Sequence, residues 1–290
     1  SGVRAARAPR ALPAAGGVVV PPLGGQPLRK RLTMALMLGV LALSVSLFMA
    51  FDGTPAATAR MGFDVPWMPS LGVSLRFGVD GLNVYLMLLT ALLFPVVLAC
   101  AWPSSEGQSA LYLSLMLALQ AALLGTFLTQ NLVVLFVLWE AVLIPMVLLI
   151  LVFGGEQRRK AALSFFLYTM AGSVLFLAAV ILLGVEHLQQ TGRWSFDLDA
   201  LTHLPLGHGT QTFVFFALAL ACAVKSPIFP FHSWLPLAYG EASPSGTALM
   251  AGVMSKMGAF GFIKLVLPLA PDVAPAMAPA TGPLAGLSAC

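Results

Sequence analysis

Charged side chains are scarce in this 290-residue chain. They make up 9% of the residues, against 59% for hydrophobic ones, whereas a soluble domain has about a quarter charged residues. This shortage excludes an ordinary water-soluble globular protein. Stretches of about 20 apolar residues, each long enough to cross a bilayer core roughly 30 Å thick, follow one another instead. The composition therefore predicts an all-α polytopic membrane protein.

Residues that hold metals, disulfides and nucleotides are also few. The three cysteines, Cys100, Cys222 and Cys290, form no metal-type pair and no disulfide framework. The sequence has no glycine-rich phosphate loop, no cysteine cluster for iron–sulfur ligation and no dinucleotide fingerprint. We therefore expect no redox cofactor and no metal in this chain. The formal charge of +4 resides in basic clusters beside apolar stretches, which indicates membrane topology rather than nucleic-acid binding.

Seven apolar stretches predict about seven transmembrane helices. Ser243 and Pro244 make a good start for the last one, and the sixth is interrupted in mid-membrane near Lys225. Residues 1–28 are predicted to be a transit-like or flexible segment, residues 29–270 the transmembrane bundle, and residues 271–290 an Ala/Pro-rich tail. The predicted spans are residues 33–51, 82–102, 110–128, 132–153 and 161–184, a sixth from about 212, and a seventh from 244 to 267.

The N-terminal stretch contains Arg4, Arg7 and Arg10 and no acidic residue before Gln26. Arg-rich, acid-free N-termini are typical of mitochondrial transit peptides, and a disordered tail is the alternative. The transit-like composition favours a protein of the mitochondrial inner membrane, with a bacterial plasma membrane as the second possibility.

Two basic clusters predict the orientation of the spans. Arg29, Lys30 and Arg31 precede the first span, and Arg158, Arg159 and Lys160 follow the fourth. An even number of crossings places both clusters on the same, non-translocated side, which would be the matrix in a mitochondrion. Lys264 falls near the other side and is an exception.

Besides Lys264, three charged residues lie within predicted spans: Glu140, Lys225 and Lys256. A charge at mid-bilayer costs at least about 2.5–3.5 kcal/mol, so such residues are expected to face the bundle interior and to find partners. A neighbouring Glu and Lys that a conformational change separates can release a proton, which a third group could accept. These residues therefore predict a proton relay. The alternative is a static ion pair or a lysine that extends to the interface.

The segment after Lys225 predicts a broken helix. Pro227 and Pro230 each remove a backbone donor and disfavour helical geometry in the preceding residue. Such breaks are tolerated where the backbone is buried in protein or lines a wet cavity, and they recur at transporter ion sites. A kinked helix with a lysine near the interface is the alternative. His232 follows the break, and an isolated histidine there is more often packed or interfacial than part of a relay.

Several motifs in this order resemble the M-type, or subunit 4, antiporter-like family of respiratory complex I. The similar segments cover about residues 30 to 270. They are the Trp139–Glu140 pair with Pro145 and Met146, the broken-helix segment 223–236, the segment 251–261, and the shorter elements 63–67 and 79–82.

This resemblance implies the N-terminal half of a proton-translocating subunit of an NADH:ubiquinone oxidoreductase, with one repeat of the antiporter-like fold. It implies that Glu140, Lys225 and Lys256 carry protons, with a less settled role for His232. It implies lipids and the L-type and N-type membrane subunits as neighbours. FMN, iron–sulfur clusters and ubiquinone would be cofactors of the parent complex, and this chain would do no redox chemistry.

The chain also departs from the family pattern. Family members carry a second repeat, so we expect a separate polypeptide to supply the C-terminal half. Leu237 and Tyr239 stand where the family often has Asp and His. Two other functions remain open: a subunit of a cation/proton antiporter without a redox partner, and a half-subunit kept only for assembly.

Overall fold

The computed structural model of the chain describes residues 25–51, 60–104, 109–277 and 279. The Arg-rich segment and most of the Ala/Pro-rich tail lie outside these residues. Seven helices within the described residues are long and apolar enough to cross a membrane, which confirms the predicted number of spans. Their bounds are α1 Gln26–Ala50, α2 Asn83–Cys100, α3 Ala110–Leu128, α4 Leu132–Ala141 with α5 Leu143–Phe153, α6 Arg158–Thr191, α8 His208–Lys225, and the seventh span Pro244–Leu269.

Short elements complete the chain. The strands are β1 Arg60–Phe63, β2 Pro66–Met68, β3 Val73–Ser74 and β4 Phe77–Val79, and the short helices are α7 Leu198–Thr202 and α9 Leu235–Glu241. The seventh span consists of α10 Pro244–Leu249, a π-helical turn Met250–Met254, α11 Ser255–Gly261, a second π-helical turn Phe262–Val266 and α12 Leu267–Leu269. The strands are a small addition to the predicted all-α architecture.

Consecutive spans pack side by side, and the seventh returns to contact α2 and α8. The third span is the most buried, with 78% of its central window covered. Aromatic side chains fill the middle of the bundle, where Trp139 lies edge-on to Phe176 and Phe127 lies edge-on to Phe260. Helix α3 therefore lies among apolar helices on several sides.

The first and fourth spans differ from their predicted forms. Helix α1 begins at Gln26, with Pro27 in its first turn. Lys30 folds inward, and its Nζ donates to the Trp102 carbonyl at 2.6 Å and lies 4.8 Å from the Trp102 ring centroid. The fourth span is interrupted at Val142. Pro145 accounts for this interruption, because it provides no N–H to bond the carbonyl four residues earlier.

One end of the bundle, which we call the hairpin end, is closed by paired loops (residues 60–79, 129–131 and 194–198). Strand β1 pairs with β4, and β2 pairs with β3. Phe77 forms a bridge with Thr129, and Asn131 forms one with Asp197. Gly72 makes the tight turn possible, since its φ is +62° and a Cβ there would lie 2.0 Å from the Trp194 carbonyl oxygen.

An acidic side chain joins these loops. Asp197 accepts hydrogen bonds from Ser74 at 3.4 Å and from Asn131 at 3.3 Å, and it pairs with Arg76 at 3.4 Å. The basic clusters around Arg29 and Arg158 lie at the opposite end, as the predicted crossings require.

Candidate functional site

The predicted helix break is confirmed, and it occurs at Lys225. Helix α8 ends at this residue, and an irregular segment leads to α9. The carbonyls freed near the break find new donors: Ile228 N–H donates to the Ala223 oxygen at 2.9 Å, and the Trp234 indole N–H donates to the Val224 oxygen at 3.2 Å. These bonds explain how a helix can end inside an apolar bundle without leaving these backbone carbonyls unpaired.

Lys225 is buried at the end of α8, with 5% of its surface exposed. Its Nζ has no hydrogen-bond partner within the described residues and lies 5.5 Å from the centroid of the Trp139 ring. A cavity of about 10 Å³ lies beside it, roughly the space that one water molecule needs. The lining residues are Phe165, Lys225, Pro227, Trp234, Tyr239, Met250, Met254 and Ser255.

Glu140 follows Trp139 directly and lies in the last turn of α4, half-buried. Its Oε1 accepts a hydrogen bond from the Ser173 hydroxyl of α6. Its Oε2 is buried and has no hydrogen-bond partner in the part of the chain that the structure describes. The aromatic ring of residue 139 thus faces Lys225, while the carboxylate of residue 140 faces α6.

Glycines allow the helices around this site to approach closely. A Cβ on Gly172 of α6 would lie 3.2 Å from the Val224 Cβ, and one on Gly261 would lie 3.1 Å from the Trp139 ring. A Cβ on Gly258 would lie 2.0 Å from the Ser226 Oγ. Helices α6, α8 and α11 therefore meet around the residues that flank Lys225.

Lys256 does not join this cluster. The sequence predicts that it faces the bundle interior, but it is exposed on the described chain, and its Nζ donates to the Ala251 carbonyl of its own span at 2.5 Å. The turn Met250–Met254, which precedes Lys256, is π-helical and contains one residue more than an α-helical turn. With this register, Ser255 lines the Lys225 cavity and Lys256 points elsewhere.

His232 also lies apart from Glu140 and Lys225. It is exposed, and its ring centroid is 5.6 Å from that of Phe229. This placement matches the expectation that an isolated histidine here is interfacial or packed, and its role in a relay stays a prediction. No three His, Cys, Asp or Glu residues within the described ranges come together in a way that could hold a metal ion.

Two contacts escaped the sequence analysis. The bond between Ser173 and Glu140 had a weak signal, because Thr169 and Ser173 are polar residues one helical turn apart in an otherwise apolar span. The ion pair of Lys264 and Asp80, at 2.5 Å, had none, because 184 positions separate the partners. This pair explains why Lys264 is an exception to the charge rule: it is neutralised at the hairpin end.

Comparison with known proteins gives consistent matches. Residues 129–289 match the family described as NADH:quinone oxidoreductase/Mrp antiporter, TM. NADH-quinone oxidoreductase subunit M of Escherichia coli (strain K12) is 34% identical over 252 residues, which cover 82% of this chain and 49% of that protein. The chain spans about half the length of the curated relatives it matches.

Solved structures agree with the sequence matches. A chain of respiratory complex I from Thermus thermophilus with bound NADH superposes with a TM-score of 0.79 at 32% identity, covering 93% of this chain and 54% of that one. A chain of the Mrp complex from Dietzia sp. DQ12-45-1b superposes with a TM-score of 0.73 at 25% identity, covering 90% of this chain and 28% of that one. This chain therefore belongs to the NADH:quinone oxidoreductase/Mrp antiporter transmembrane family.

Proposed function

We propose that this chain is a proton-translocating membrane subunit of an NADH:quinone oxidoreductase, driven by electron transfer in other subunits. The observation that carries the proposal is the Lys225 side chain, which is buried at a helix break without a hydrogen-bond partner among the described residues. A permanently charged, unpaired ammonium at this depth would cost several kcal/mol, roughly 2.5–3.5 on insertion scales. A lysine that takes up and releases a proton carries that cost for only part of its cycle.

Glu140 is the group that makes such a cycle possible. When its carboxylate is ionised, it stabilises the Lys225 ammonium electrostatically, and when it gains a proton or moves away, this stabilisation is lost. Lys225 then releases its proton to the water that the adjacent cavity can hold. In this scheme the net movement is one proton, from Nζ to water, and no bond in this chain is oxidised or reduced.

Lys256 is the proposed next acceptor, with His232 as a further proposed member. Because the Lys256 ammonium is exposed on the described chain, its face would need cover from other membrane helices rather than from lipid tails. We propose that a second antiporter-like repeat provides this cover. The L-type and N-type subunits are the proposed outer neighbours.

The parent complex would hold FMN, iron–sulfur clusters and ubiquinone, with none of them bound to this chain. The protein crosses its membrane several times, and the choice of membrane is part of the proposal. The Arg-rich start supports the mitochondrial inner membrane, whereas the Escherichia and Thermus relatives are bacterial and support a bacterial plasma membrane.

The rival functions are a cation/proton antiporter subunit and a half-subunit for assembly alone. The higher TM-score and identity to the complex I chain than to the Mrp chain support the first proposal over the antiporter. The buried Lys225 side chain and the half-buried Glu140 side chain support transport over assembly, because a purely structural subunit gains nothing from an unpaired buried charge.

Lys225→Ala in the assembled complex tests the proposed role directly. We expect the number of protons moved per NADH oxidised to fall, with the complex still assembled. Lys160→Ala is the matched control, because it removes an exposed lysine of the basic cluster around Arg158. An unchanged proton-to-electron ratio in the Lys225 variant would rule out the relay.

A native gel stained for NADH dehydrogenase activity tests the parent complex. Mass spectrometry of the active band should identify this chain together with a polypeptide that carries the second repeat. Recovery of the chain in a smaller complex without NADH dehydrogenase activity would favour the antiporter. Recovery of the two repeats in one polypeptide or in two would decide whether the subunit is split and would leave the relay untouched.

A further inference from the structure

The Ser173 side chain contacts the Glu140 carboxylate, but the relay proposed above gives it no role. It is 4% exposed, in the middle of α6. Its hydroxyl faces two acceptors, Glu140 Oε1 and the backbone carbonyl of Thr169, the latter at 3.0 Å. A serine has a single O–H proton, so Ser173 can donate to only one of them at a time.

The choice between these two acceptors depends on the state of Glu140. An ionised carboxylate is the stronger acceptor, because hydrogen bonds to charged groups are roughly twice as strong as neutral ones. A protonated Glu140 instead donates its own O–H to the Ser173 oxygen, which frees the serine proton for the Thr169 carbonyl. The two arrangements differ by one proton on Glu140 and one rotation of the serine hydroxyl.

The position of Ser173 in α6 connects this choice to Lys225. The preceding residue, Gly172, lies against Val224 and Ala221 at the end of α8. One turn earlier, the Thr169 hydroxyl bonds the Phe165 carbonyl at 2.7 Å, and Phe165 lines the cavity beside Lys225. One short stretch of α6 therefore contacts the carboxylate, the lysine helix and the cavity wall.

We propose that Ser173 is a positioning residue for the proton relay. It holds the ionised Glu140 carboxylate in place against α6, and it turns its O–H to the Thr169 carbonyl when Glu140 becomes protonated. The inference rests on the proposed function, since without proton transfer at Glu140 the serine would have no second state to adopt.

Three substitutions at Ser173 separate the hydroxyl from the packing. Ser173→Ala removes the donor, Ser173→Cys keeps nearly the same shape with a weak donor, and Ser173→Thr keeps the hydroxyl. The matched control is Ser44→Ala in α1, because Ser44 is equally buried and bonds the Val40 carbonyl four residues earlier at 2.8 Å. The control loses the same bond to its own helix, and no described carboxylate bonds its hydroxyl.

The measurements use the intact complex in proteoliposomes. Proton pumping per NADH is recorded for each variant. Infrared difference spectra are also recorded on a change of pH, and the bands that are missing from the spectrum of Glu140→Gln are assigned to Glu140. We expect several-fold weaker pumping and shifted Glu140 bands in Ser173→Ala and Ser173→Cys. In Ser173→Thr and Ser44→Ala, proton pumping and the Glu140 bands should stay near those of the wild type. Because the bands report on the carboxyl itself, a merely structural serine would not move them.

The opposite results are distinguishable. Normal pumping and unshifted bands in Ser173→Ala, with pumping lost in Glu140→Gln, would overturn the role of Ser173 and leave the relay standing. Normal pumping in Glu140→Gln would overturn the relay itself, and the role of Ser173 with it. Equal losses in Ser173→Ala and Ser44→Ala would also count against it, because they would trace the effect to helix packing.

Discussion

Two lysines of this bundle lie in opposite environments. Lys264, in the second π-helical turn of the seventh span, bonds Asp80 at 2.5 Å, and the two side chains are 19% and 12% exposed. Lys225, at the end of α8, is buried at least as deeply, and its Nζ has no hydrogen-bond partner within the described residues. Asp80 is held in turn by the N–H groups of Leu82 and Asn83, whereas Glu140 has one hydroxyl donor.

The difference in hydrogen-bond partners between Lys264 and Lys225 separates a structural charge from one that can be gained and lost with a proton. A charge that is fully paired and hydrogen-bonded holds two segments together and changes state only at high cost. A charge with incomplete partners destabilises the fold, and its retention requires another explanation. The following substitutions test this contrast through the free energy of unfolding, from the largest expected effect to the smallest. Unfolding is followed in mild detergent by labelling of the buried Cys222 thiol.

Lys264→Met should have the largest effect. It leaves the Asp80 carboxylate without its ammonium partner, and we expect a loss of about 3 kcal/mol, the low end for breaking a buried pair because both side chains keep some exposure. The double variant Asp80→Asn/Lys264→Met removes both charges and keeps an oxygen that can accept from Leu82 and Asn83. It should recover part of the loss, and a double variant no more stable than the single one would contradict the structural role.

Gly258→Ala should come next. Its Cβ would lie 2.0 Å from the Ser226 Oγ and 2.5 Å from the Cys222 carbonyl oxygen, so α11 must shift away from the end of α8. We expect a loss of about 2 kcal/mol, within the range for overpacking. Gly240→Ala is the control, because nothing lies within 4 Å of the added Cβ. Equal stability of the two variants would show that the helices around Lys225 are not tightly held.

Asn131→Ala should have a smaller effect at the hairpin end. Asn131 caps α4 by accepting from the N–H groups of Val133 and Val134, and it also donates to Asp197. Loss of such a cap costs typically about 1 kcal/mol. Ser109→Ala, which removes a cap with one longer bond at 3.4 Å, should cost less. The reverse order would mean that the hairpin end does not depend on this cap.

Lys225→Met should have the smallest effect on stability and a large effect on pumping. Methionine fills a similar volume without a charge, so we expect a stability within about 1 kcal/mol of wild type, or above it. Pumping should fall on the order of 100-fold, a typical contribution of a positioned proton-transfer group. A loss of stability as large as that of Lys264→Met would make Lys225 a structural charge and end the contrast between the two lysines.

The environment of Lys256 marks the limit of what sequence patterns could predict. Lys256 lies in a span, as the sequence predicts. The exposed direction of its side chain follows from the π-helical turn Met250–Met254, because this turn shifts the register of the residues after it. The sequence around this turn is apolar and suits an ordinary helix equally well. The roles of Glu140, Lys225, Lys256 and His232 remain predictions for the experiments above.

The sequence by itself determined the class of the protein, the seven spans, the break after Lys225 and the presence of a Glu and two Lys in apolar surroundings. These features follow from local composition and from proline chemistry, which act within a few residues. Only the tertiary structure decided that Ser173 contacts Glu140, that the Lys225 ammonium lies near the Trp139 ring, that Lys264 is neutralised by Asp80 and that Lys256 is exposed on the described chain. The three contacts join residues far apart in the chain and depend on how packed helices rotate and approach one another, whereas the direction of Lys256 depends on the π-helical turn before it.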